Sequence, residues 1–95
     1  MTRGTGDWHP TREEMRRTAE SLVKYYARRT KEEPSLTMWA IAHEHACKWR
    51  ELAAAEAPDP KEVRSLLTAL EARKATAGSG WYEMTLWVRK LAESL

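Results

Sequence analysis

From Leu36 to Ala57 the chain reads LTMWAIAHEHACKWRELAAAEA, without one glycine or proline. A helix of that length makes about six turns and spans roughly 33 Å, enough to cross a small domain end to end. It predicts a central helix on which the remaining segments pack. The same stretch holds two of the five Trp, two of the three His and the only Cys.

Winding the segment at about 100° per residue gathers Ile41, His45, Leu52, Met38, Trp49, Ala42, Ala53, Ala46 and Trp39 into an apolar arc of roughly 160°. Glu44, Lys48 and Glu51 fall on the other side, with Glu44 and Lys48 spaced as an i,i+4 pair. Ser35 or Thr37 is placed to cap this helix.

The flanking segments are punctuated as clearly. Residues 1–10 contain Gly4, Gly6 and Pro10 and read as a flexible arm with Trp8 as its one adhesive side chain. Thr11 and Glu14 have the spacing of a capping box. Met15, Ala19, Leu22, Val23 and Tyr26 then recur at helical intervals up to Thr30, and Pro34 stops the run. Asp59 and Pro60 are an N-cap and a first helical residue. Val63, Leu66, Leu67 and Leu70 form the inner face of a third helix, which is expected to end near Thr76. Gly78 and Gly80 then separate it from a fourth, whose core stripe is Trp81, Met84, Trp87, Val88, Leu91 and Leu95. No alternating strand pattern or internal repeat occurs. The expectation is an all-α four-helix bundle over 11–30, 36–56, 60–76 and 81–94, one domain spanning residues 11–95, with short connections making neighbours antiparallel.

Composition narrows the function classes. The 95 residues are 42% hydrophobic and 32% charged, and the net charge of +2 is too small to imply nucleic acid by itself. No apolar run approaches the ~18 residues of a membrane span. One cysteine excludes an internal disulfide, and the start lacks the apolar stretch of a secretory signal. The chain reads as soluble and cytoplasmic, with no membrane partner.

Chemistry-bearing residues are few. In His43-Glu-His-Ala-Cys47 the two His point about 160° apart on a helix and cannot share one ion. His43 and Cys47, at i and i+4, can face the same ligand, but zinc wants three or four donors and the others would have to come from elsewhere, such as His9. No metal or other cofactor is therefore expected. His45 lies within the apolar arc and is the one candidate acid–base group, against the plainer role of a hydrogen-bonded core histidine. Without a recognisable triad or carboxylate pair, the reading leans away from an enzyme.

Two surfaces remain. Arg17, Lys24 and Arg28 form an outward basic stripe on the first helix, with Arg12, Arg16, Arg29 and Lys31 around it, suited to phosphates. Glu13 and Glu20 are spaced to neutralise it in part. On the fourth helix Tyr82 and Leu86 fall away from the core stripe, with Arg89 one turn on and Tyr25 and Trp8 as candidate neighbours. Exposed aromatics beside Arg mark partner surfaces. The leading expectation is a non-enzymatic interaction module that binds another protein or a second copy, as an adaptor, inhibitor or regulatory accessory protein. A nucleic-acid-associated protein using the first helix is the alternative, and a pocket protein or enzyme centred on His45 the third reading.

Overall fold

A computed structural model describes residues 10–72 and 78–95. Four helices follow in order, α1 (Arg12–Glu32), α2 (Thr37–Ala54), α3 (Pro60–Ala72) and α4 (Gly78–Ser94). α1 pairs along its length with α2, and α3 with α4. α2 and α4 touch all the other helices, whereas α1 and α3 share no contact among the described residues. The bundle therefore closes as a ring α1–α2–α3–α4 with α1 and α3 across the diagonal. Its Cα radius of gyration, 13.3 Å, is that of a packed chain of this length.

The start of α1 follows from its sequence. Thr11 accepts the Glu14 amide at 3.1 Å, and the Glu14 carboxylate accepts the Thr11 amide at 2.9 Å. These bonds from Thr11, backbone first and hydroxyl second, hold the Glu14 carboxyl below its ordinary 4.5. Because the folded-state value is depressed, the cap's contribution is complete above pH 4.5 and is lost as pH falls through the folded value. Thermal melts should therefore show a Tm decline below pH 4.5 that is shallower in Glu14→Gln; identical slopes would remove the cap from the acid response.

α3 is capped as expected, the Asp59 carboxylate accepting the Lys61 amide at 2.9 Å. α2 is not. Its N-cap position is Leu36, which has no side-chain bond to give, and the Trp39 amide turns back to the Leu36 carbonyl instead. α4 takes in Gly78, Ser79 and Gly80 rather than starting near Trp81, so the Gly-Ser-Gly run belongs to the helix. Space explains Gly80. A Cβ there would lie 2.7 Å from the Tyr26 hydroxyl, so only a residue without one lets α4 approach α1 this closely. The expected end of α3 near Thr76 and the arm over residues 1–9, including Trp8 and His9, lie outside the described residues.

The core is most of the apolar set expected, with its centre shifted and with Met38, Leu67 and Trp87 half-buried at its edge. Met15, Ala19, Leu22, Val23 and Tyr26 of α1 meet Trp39, Ala42, Ala46, Trp49, Leu52 and Ala53 of α2, and Val63, Leu66, Leu70, Trp81, Met84, Val88 and Leu91 complete it. Ala42, Ala46 and Ala53 let α1 and α2 approach closely while Trp49 fills the centre, fully buried. This close pairing rotates the arc toward α1, leaving Ile41 and His45 half-buried on the far edge. Leu95, expected on the core stripe, is 46% exposed because it follows the last helical residue.

Each helix pair is latched by a side-chain donor on a backbone carbonyl of its partner helix. α2 has no basic residue in its last turn. Arg12 serves it from α1, its guanidinium donating to the carbonyls of Leu52 (3.4 Å), Ala53 (3.0 Å) and Ala55 (2.5 Å). In the other pair the Trp81 indole donates to the Leu70 carbonyl at 2.7 Å. The Leu52, Ala53 and Ala55 carbonyls lie at the end of α2, where intrahelical donors run out, and the Arg12 cation also opposes the negative end of that helix's dipole.

Candidate functional site

The fourth helix presents its outward face beside α3. Tyr82 is 68% exposed, the most exposed large apolar side chain among the described residues. Leu86, one turn on, is half-buried, and Arg89 follows on the same stripe. Arg89 donates to Glu71 of α3 at 2.8 Å, an exposed ion pair at the edge of the face. Glu71, Tyr82, Thr85, Leu86 and Arg89 together line a recess of about 310 Å³. The Thr85 hydroxyl is not available there as a donor, since it donates to the Trp81 carbonyl at 2.8 Å. The three α4 residues singled out from the sequence are thus brought together.

Tyr25 is not part of that recess. It lies on the opposite flank of α4, where it lines a separate hollow with Thr18, Ser21, Leu22, Gly80 and Glu83. Its ring meets Tyr26 edge-on at 5.2 Å and Trp39 at 6.3 Å, and Arg28 lies 5.7 Å from its centroid.

The basic helix loses part of its stripe to the fold. Arg12 turns to the end of α2. Arg29 stacks over Trp39 at 4.7 Å and pairs with Glu32 and Glu33, so neither cation belongs to an outward surface. Arg17 pairs with Glu13 at 3.6 Å, both well exposed. No ion pair within 4 Å joins Glu20 to Lys24 among the described residues, so Lys24 and Arg28 are the exposed remainder with Arg16 and Lys31.

His43 and Cys47 do meet, with Nε2 and Sγ 3.6 Å apart on the half-buried side of α2. Among the described residues no group of three His, Cys, Asp or Glu converges as a metal site would require.

His45 stands beside open space. Its ring packs edge-on against Trp81 at 5.5 Å between centroids. With Lys48, Glu62, Ser65, Leu66 and Ala69 it lines a cleft of about 230 Å³ between α2 and α3. Lys48 does not pair with Glu44 as its spacing suggested; it reaches across to Glu62 at 2.6 Å. The Glu62 carboxylate holds the Lys48 ammonium above its ordinary value. Sequence reasoning missed this cleft because it depends on which α3 residues face His45. The one available signal was the i, i+3, i+4, i+7 spacing of Glu62, Ser65, Leu66 and Ala69 on one face of α3.

No helix among the described residues is long and apolar enough to cross a membrane. No known family matches the sequence, no curated protein resembles it significantly, and no solved structure matches its four-helix arrangement.

Proposed function

We propose that this chain is a non-enzymatic interaction module that binds another protein, or a second copy of itself, through the α3/α4 face formed by Tyr82, Leu86 and Arg89. The observation that carries the reading is the exposure of Tyr82 beside half-buried Leu86, on a helix whose other large apolar residues pack inward. An exposed aromatic costs little to desolvate and supplies rigid contact area, and Arg89 beside it adds a guanidinium paired with Glu71. An adaptor, inhibitor or regulatory accessory protein of the cytoplasm would use such a face.

The alternative, a nucleic-acid accessory role for α1, draws support only from Arg17, Lys24 and Arg28. It is weakened by the inward turn of Arg12 and Arg29.

The double variant Tyr82→Ser, Leu86→Ser tests the face. Its helicity should be unchanged and its stability within about 1 kcal/mol of the parent, as for surface substitutions. Association, read as solution mass or partner capture, should be lost. A cooperative loss of fold would place both residues in the core and end the proposal.

A further inference from the structure

The cleft beside His45 is separate from the α4 face and is built differently, with an apolar floor and a charged rim. Leu66 and Ala69 of α3 form the floor, and the His45 ring forms a wall. At the rim stand the Ser65 hydroxyl and the Lys48–Glu62 ion pair, whose side chains are 41% and 50% exposed. A volume of about 230 Å³ suits a molecule of amino-acid size. Drug-sized ligands occupy pockets of about 300–1,000 Å³.

Charge then selects the ligand class. An exposed ion pair contributes little to stability, so Lys48 and Glu62 separate at small cost. A simple carboxylate would pair with Lys48 and leave Glu62 without its cation. A simple amine would do the reverse. A zwitterion answers both, its carboxylate on Lys48 and Ser65, its ammonium on Glu62, and leaves no charge uncompensated. An apolar side chain on the same molecule would lie over Leu66 and Ala69 against the His45 ring. We propose that this cleft binds a free α-amino acid with a short branched aliphatic side chain, of which leucine is the representative.

The test is an NMR titration that follows the Ala69 methyl and the His45 ring proton, both of which report from inside the cleft. L-Leucine is added, and separately isovalerate and isoamylamine, which carry one charge each on the same branched chain. Leucine should give saturable shifts with affinity about tenfold or more above either half-ligand, the scale of one charge-assisted hydrogen bond. Lys48→Met and Glu62→Gln should each weaken leucine by about the same factor, and Glu62→Gln should bring isovalerate level with it. Both side chains are half-exposed, so unchanged thermal melts verify that the variants are folded. Tyr82 ring signals should not move, which keeps this site distinct from the α4 face. Non-saturable shifts with leucine, or equal affinity for leucine and isovalerate in the parent chain, would overturn the proposal.

Discussion

Replacing Arg12 by methionine is expected to destabilise the bundle by about 3 kcal/mol, since hydrogen bonds from a charged donor are worth about 1.5–3 kcal/mol each and three carbonyls share this one. For a domain of this size that corresponds to a Tm lower by about 12–24 °C. The physical reason lies in α2. Its last turn contains no cation, and the carbonyls of Leu52, Ala53 and Ala55 receive the Arg12 guanidinium from across the helix pair. Methionine keeps the aliphatic stem while removing the donor, so packing is largely conserved and the loss reports the latch. Arg12→Lys should recover about half of it, because an ammonium is a point charge and lacks the planar fork. The measurement is urea or thermal unfolding followed by circular dichroism. A Tm within about 3 °C of the parent in Arg12→Met would show that solvent satisfies those carbonyls equally well.

The second large effect is expected at Gly80, with a sign that depends on Tyr26. A Cβ at position 80 meets the Tyr26 hydroxyl at 2.7 Å and the ring carbon beneath it at 3.4 Å. Tyr26 is fully buried, and its ring is hemmed by Tyr25 and by Trp39 at 6.0 Å, so it has no room to withdraw. Gly80→Ala should therefore cost about 1–3 kcal/mol, the range for overpacking a filled core. Tyr26→Phe removes the obstructing oxygen. That oxygen is buried without a hydrogen-bond partner among the described residues, so its removal alone should be neutral or slightly stabilising. Burial, with Tyr25 and Glu83 adding to it, pushes the phenol far above its ordinary value, so the comparison is between neutral groups at any usual pH. Once the Tyr26→Phe change is in place, Gly80→Ala should become stabilising by about 0.5–1 kcal/mol, the advantage of Ala over Gly within a helix. The double-mutant cycle should thus give a coupling of about 2 kcal/mol or more. Additive effects would mean that α4 does not approach α1 through this contact.

What could be read from the sequence follows the range of the interactions. The Thr11–Glu14 box and the Asp59-Pro60 start are local, three residues or fewer in span, and both stand as read. The apolar stripes of α1, α3 and α4 were legible because their period is intrinsic to a helix. The arc of α2 was legible only as an arc: nothing local says whether Ile41 or Ala46 is its centre. That was decided when the alanines let α1 approach. Arg12 could not be distinguished from Arg16 or Arg17 without knowing that its helix starts beside the end of α2. Gly80 looked like a helix breaker because its constraint, the Tyr26 hydroxyl, lies on another helix.

The same holds for the candidate surfaces. Tyr82, Leu86 and Arg89 were found together because they lie on one helix at i, i+4 and i+7. The separation of Tyr25 from them, and the cleft that joins His45 to Lys48, Glu62 and Ser65, depend on the packing of different helices.

The interaction face is tested most directly by placing a photo-crosslinking amino acid, p-benzoyl-phenylalanine, at position 82 in cells that express the chain, with the same residue at position 24 as the comparison. A substituent at an interface lies against its partner, whereas one on a solvated helix face does not. A discrete covalent polypeptide adduct is expected from position 82, identified by mass as a second copy or another protein, and none from position 24. No polypeptide adduct from position 82, or nucleic acid captured from position 24, would contradict it.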